Sequence, residues 1–118
     1  MLEKALILAA KAHTGQVDKG CAPYILHPIR VMLACEGEKE KIVALLHDTL
    51  EDTALTAADL RRAGFSEEIV QAVCCLTRGQ KEDYMDYIAR ICENALAARV
   101  KYADLQDNLD ISRIPNPT

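Results

Sequence analysis

Apolar residues recur at helical spacing through most of the chain. Leu2, Ala5, Leu6, Ala9 and Ala12 form one stripe and predict a first helix over residues 2–13. The pattern stops over residues 14–27, where Gly15, Gly20 and Pro23 mark a loop. Pro28 suits the first turn of a second helix, because its missing N–H has no partner there anyway, and that helix runs to about Cys35. A residue before proline is pushed away from α geometry, so His27 is expected at the helix entrance. Gly37 breaks the pattern and residues 39–47 predict a third helix. Residues 48–55 are polar and predict a short turn.

Thr56 and Asp59 have the spacing of a capping box with Asp in place of Glu, and Gly64 ends the helix they begin. Ser66 caps the next, with Glu67 and Glu68 at its positive end, and that helix reaches about Leu76. Residues 81–92 and 95–109 predict two more, and residues 112–118, polar with two prolines, an irregular or frayed end. No strand-like alternation, internal repeat or linker interrupts this. The expectation is an all-α fold, a single domain over residues 1–118, with about six or seven helices around one core.

Composition sharpens the packing. Half of the 118 residues are hydrophobic, yet there is one Phe and no Trp, so aliphatic side chains must fill the core. The net charge of -4 argues against a broad basic face for polymeric nucleic acid. It leaves room for a single nucleotide held by a few local Lys or Arg side chains. The five cysteines are odd in number and include no C-x-x-C pair, which suits reduced thiols packing as small apolar groups. Glu3, Lys4 and Lys11 interrupt the apolar start, so no signal peptide is read there, and no run is long enough to span a bilayer. A soluble, cytoplasmic protein with a small-molecule partner is expected, and an exposed apolar helix face would suit a homodimer.

The chemistry concentrates in Leu45-Leu46-His47-Asp48-Thr49-Leu50-Glu51-Asp52-Thr53. An imidazole and a carboxylate stand side by side at the end of an apolar helix, and two more carboxylates follow. His27 upstream and Asp104 downstream can complete a site. Asp104 lies among Ala97, Val100 and Ala103, where a carboxylate is costly unless paired or bound to metal. Two imidazoles and two carboxylates suit Mn²⁺, Fe²⁺ or Zn²⁺ in an open site better than a closed structural zinc site. Glu51 and Asp52 follow Asp48 closely enough to orient a water for attack, the alternative being an acidic turn leading into the Thr56 cap. Lys101 shares a helix face with Asp104, which fits a phosphate contact or a plain ion pair. Lys19 reads as a phosphate contact or a solvated loop lysine, and Tyr24 as a stacking or packing ring. His13 reads as a packed core histidine.

With those residues in place, the chain resembles the HD-domain metal-dependent phosphohydrolases, and within them the hydrolase domain of RelA/SpoT-type enzymes and their small stand-alone homologues. The resemblance rests on Ala12-His13-Thr14-Gly15-Gln16, Pro23-Tyr24-Ile25-Leu26-His27-Pro28, the stretch from Ala44 to Thr53, and Val100-Lys101-Tyr102-Ala103-Asp104 with Asn108. It implies that His27, His47, Asp48 and Asp104 bind one divalent metal, usually manganese. It implies that Glu51 and Asp52 act on the attacking water, and that Lys19, Lys101 and Asn108 hold the nucleotide, beside Tyr24. The implied reaction is removal of the 3′-pyrophosphate from (p)ppGpp, and no synthetase domain is read in the chain. Two positions depart from the family pattern. Asp18 replaces one member of a basic pair, and Asp107 stands where an aromatic residue or His is usual. Both bear on the substrate and not on the metal. Relatives tend to add another helix, so a shortened C-terminal end is expected.

Overall fold

Ile42, Val43, Ala44, Leu45 and Leu46 are consecutive and all buried. A helix apolar on every side has to sit in the middle of its bundle. The computed structural model, which describes residues 1–109, places it there. The elements are α1 (Leu2–Ala12), α2 (Leu26–Ala34), α3 (Glu38–Leu46), α4 (Thr49–Asp52), α5 (Ala57–Arg62), α6 (Glu67–Cys75), α7 (Tyr84–Cys92) and α8 (Ala95–Asn108). The central α3 packs against α1, α2, α6 and α8, and α8 in turn packs against α2, α6 and α7. The expected all-α class holds: seven longer helices and the single turn α4, with one isolated bridge between Val17 and Pro23 as the β pairing among the described residues. No helix among those residues is long and apolar enough to cross a membrane. The tail expected to fray, residues 112–118, lies outside the described residues.

The helix ends follow local chemistry. Thr56 and Asp59 form the reciprocal capping box at the start of α5. Ser66, Asp83 and Asn94 accept backbone N–H groups at the starts of α6, α7 and α8. Gly64, at φ +97°, takes the left-handed conformation just past α5 that other residues resist.

Two expectations need correcting. The stretch after His47 is not a plain turn: residues 49–52 close one helical turn, with the Thr49 hydroxyl donating to Leu46 O at 2.7 Å. That turn carries Glu51 and Asp52. The second helix also begins earlier than Pro28, at Leu26, so His27 lies inside the first turn and not before it. Pro28 is then the third helical residue, still among the N–H positions that have no intrahelical partner, so the ring costs the helix no bond.

Leu45 and Leu46 are fully buried beside the His-Asp pair. Leu45→Ala is expected to cost about 3 kcal/mol, the usual penalty for a core cavity of that size. Urea unfolding of the metal-free protein reads it directly, and a loss below about 1 kcal/mol would contradict the central place given to α3.

Candidate metal centre

Two helices and two helix caps bring four side chains together. His27 comes from the first turn of α2, His47 from the C-terminal cap of α3, Asp48 from the residue before α4, and Asp104 from α8. Asp104 Oδ1 is 2.8 Å from His27 Nε2 and 3.2 Å from His47 Nε2. Asp48 Oδ2 is 3.1 Å from His47 Nε2 and 3.9 Å from His27 Nε2. Neighbouring donors around a small divalent cation, each about 2.1 Å from it, lie roughly 3 Å apart in an octahedral arrangement. The spacing of His27, His47 and Asp104 therefore fits one shared ion, with Asp48 at its edge, grouped with Glu51 and Asp52. His27, His47 and Asp104 are buried, so the donors are already stripped of most of their water.

The opposite edges of the rings support the same reading. His47 Nδ1–H donates to Ala44 O at 2.5 Å, and His27 Nδ1–H donates to Asp107 Oδ2 at 2.6 Å. Neither acceptor can give a proton back, so each Nδ1 keeps its hydrogen and Nε2 is the atom a cation would take. Metal-binding histidines are oriented in this way. The carboxylates are held too. The Tyr24 hydroxyl donates to Asp48 Oδ2. Lys101 Nζ donates to Asp104 Oδ2 at 3.1 Å, and Asn108 Nδ2 to Asp104 Oδ1 at 3.4 Å. Tyr24, Lys101 and Asn108, expected around a nucleotide, thus touch the carboxylates of the cluster.

Glu51 and Asp52 project from α4 beside Asp48, and one oxygen from each of the three lies within 4.8 Å of the other two. Glu51 Oε1 accepts the Arg78 backbone N–H at 3.0 Å. Gln16 Nε2 donates to the backbone oxygen of Asp52 at 3.0 Å, tying α4 to the loop after α1. Among the described residues no hydrogen bond reaches the Asp52 carboxylate. Lys19 is different: it is exposed and makes no hydrogen bond or ion pair with the cluster. Its neighbour Asp18 closes its own loop, accepting from Gly20 N at 2.8 Å and Ala22 N at 3.0 Å. His13 is buried, with Nδ1 2.9 Å from Gln16 Oε1 and its ring 5.0 Å from that of Tyr24.

Sequence reasoning passed over Arg78 and Gln16, and it weighed Asp107 only as a substrate group. Asp107 had a signal, since it stands one helical turn beyond Asp104 on the same face. Gln16 lies in a matched stretch. Arg78 had none, because it acts through its backbone.

Protons are distributed as the geometry demands. Burial alone would push the His47 imidazole down, but the Asp48 charge and hydrogen bonds with Asp104 and Asp48 outweigh it and hold it up at about 10. Burial would raise Asp104, yet its bonds to His27 and His47 and the charges of His47 and Lys101 keep it far below the usual carboxylate range. Asp48 is lowered in the same way: burial opposes, while His47 and the Tyr24 hydroxyl prevail. Glu51 and Asp52 move the other way, raised by burial and by neighbouring carboxylates. A metal needs the His47 lone pair, so in the metal-free protein it must displace a proton held up to about pH 10. Cation affinity is therefore expected to rise with pH between 6 and 8, with about one proton released per ion. Calorimetry in buffers of different ionisation enthalpy measures this, and a heat independent of buffer would exclude it.

The chain is similar to several known proteins. No protein-family model matches the chain. A GTP pyrophosphokinase of Myxococcus xanthus is 29% identical over 127 residues, which span 92% of this chain and 17% of that protein. A guanosine-3′,5′-bis(diphosphate) 3′-pyrophosphohydrolase of Aquifex aeolicus (strain VF5) is 31% identical over 120 residues, again 92% of this chain and 17% of that protein. The chain thus spans about one sixth of the length of these curated relatives. Among solved structures, a metazoan ortholog of SpoT described as hydrolysing ppGpp superimposes with a TM-score of 0.81 at 26% identity, covering 94% of this chain and 70% of that one.

Proposed function

We propose that this chain, similar over 92% of its length to RelA/SpoT-type proteins, is an HD-domain hydrolase of that branch and removes the 3′-pyrophosphate of (p)ppGpp in a divalent-metal-dependent reaction, leaving GDP or GTP. One observation carries this reading: the donor atoms of His27, His47 and Asp104 converge within the spacing of a single ion, and Asp48, 3.1 Å from His47 Nε2, joins them to the raised carboxyls of Glu51 and Asp52. A cation held by His27, His47, Asp48 and Asp104, Mn²⁺ on the mixed N/O donor set, would polarise a phosphoryl oxygen and lower the pKa of a water.

The remaining work falls to the protein. The two ligand carboxylates carry a charge of about -2, which offsets the cation and leaves water activation incomplete without a base. Asp52 is placed to take that proton, because its carboxylate is adjacent to Asp48 and unengaged by the described residues. Glu51, fixed by Arg78 N–H, would help to orient the water. Lys101 stays cationic: burial opposes its charge, but Asp104 and the Tyr87 ring more than compensate. Its ammonium offers a contact for a phosphate at the edge of the site, with Asn108 beside it. Lys19, exposed on its loop, would meet the distal part of the nucleotide.

The test is direct. Protein loaded with Mn²⁺ is offered ppGpp, GTP, GDP, NADPH and dNTPs, and release of pyrophosphate and phosphate is measured. Pyrophosphate from ppGpp alone is the expected result. Phosphate from another nucleotide would move the reading to a different substrate, and no turnover of any would end the enzyme reading.

A further inference from the structure

Asp107 departs from the family pattern at a position read as bearing on the substrate, and its carboxylate meets His27 and Arg30. His27 and Arg30 stand one turn apart on α2, and Asp104 and Asp107 stand one turn apart on α8. The two pairs face each other across the α2–α8 contact. The His27 ring lies between the two carboxylates, with Nε2 2.8 Å from Asp104 and Nδ1 2.6 Å from Asp107. The other Asp107 oxygen accepts from Arg30 Nε at 2.8 Å. Asp107 is nearly buried, at 11% side-chain exposure, so this charge would be costly without those partners.

On these contacts we propose that Asp107, braced by Arg30, is the positioning residue of the metal centre. It fixes the Nδ1–H tautomer of His27 and stops the ring turning about χ2, so that Nε2 faces the cation. A carboxylate does this more strongly than a carbonyl or a neutral side chain, because the partial positive charge that a bound cation induces on the ring is compensated at Nδ1. Arg30 acts one step further out. It holds the carboxylate in the orientation that His27 needs and offsets its charge, so that the site does not gain a free anion. The cross-paired turns thus make one α2–α8 contact serve both packing and ligand orientation. The proposal rests on the metal reading but not on the identity of the substrate.

Mn²⁺ titration of the purified protein decides it. Asp107→Ala is expected to weaken Mn²⁺ binding 10- to 100-fold, the usual effect of losing such a partner. At saturating Mn²⁺ the KM for ppGpp should stay unchanged. Asp107→Asn keeps an oxygen that accepts from Nδ1–H and should recover part of the affinity; Arg30→Ala should lose less than Asp107→Ala, since the bond to His27 survives. Unchanged Mn²⁺ affinity with a raised KM would overturn the proposal in favour of a substrate contact. Unchanged affinity and KM with a lower melting temperature of the metal-free protein would reduce Asp107 to a packing ion pair. If Asp107→Ala fails to fold, the isosteric Asp107→Asn decides, and full Mn²⁺ affinity in it overturns the proposal. If the unaltered protein binds no Mn²⁺, the metal reading falls and takes this proposal with it. Failure with ppGpp alone leaves the Mn²⁺ result standing.

Discussion

Asp48→Ala is expected to abolish divalent-cation binding and, with it, nucleotide hydrolysis. Asp48 links the two halves of the site. Its Oδ2 is 3.1 Å from His47 Nε2 and accepts from the Tyr24 hydroxyl, while the same carboxylate adjoins Glu51 and Asp52. Removing it takes away one of four donors and half of the charge that neutralises the cation. Metal assistance contributes several kcal/mol to hydrolysis of a phosphate ester, and each 1.4 kcal/mol is about tenfold, so kcat/KM should fall by about a thousandfold or more. The carboxylate also holds a proton on His47 in the metal-free protein, so the variant lowers the His47 imidazole. Unfolding of the metal-free variant separates loss of metal from loss of fold, and Asp48→Asn, which preserves shape, serves as the control. Cation binding at the native level in both variants would remove Asp48 from the metal site.

Asp52→Ala has the second largest expected effect, with the opposite signature. Cation affinity should remain, because Asp52 is not among the four proposed ligands, while kcat drops by about 10²- to 10⁴-fold, the range for loss of a general base. The pH profile carries the sign. Burial and the Asp48 charge raise the Asp52 carboxyl above its ordinary value, the nearby His13 and His47 opposing. A base works only when ionised, so at saturating metal the rate should fall as pH drops through that raised value. The variant should lose that limb. Equal loss of metal in Asp48→Ala and Asp52→Ala would contradict the division of labour between them.

Much of this was legible along the chain because it depends on neighbours in sequence. The caps of α5 and α6 and the stop at Gly64 are local, and each appears where its residues predict it. The apolar run before His47 could only be a buried helix, and Asp104 among apolar neighbours signalled a partner. Legibility failed where a residue acts through its backbone or across elements. Arg78 supports Glu51 with an N–H that any residue could supply. Tyr24 reads as a ring, but its hydroxyl decides its role. Pro28 lies in the first turn as its residue type predicts, but the helix begins two residues earlier, at Leu26, because a proline is tolerated anywhere in that turn.

The sequence by itself determined the helical class, the principal helices and the inventory of chemistry: two imidazoles, a set of carboxylates and a few cations. Those follow from periodicity, capping and residue type, which are short-range. Only the tertiary structure decided which atoms face one another. His27 and Asp104 are separated by 77 positions, yet lie 2.8 Å apart because α2 and α8 pack on the same buried α3. The register of that packing, fixed by side-chain shape across helices, turns Asp107 from a departure in a motif into a support for His27.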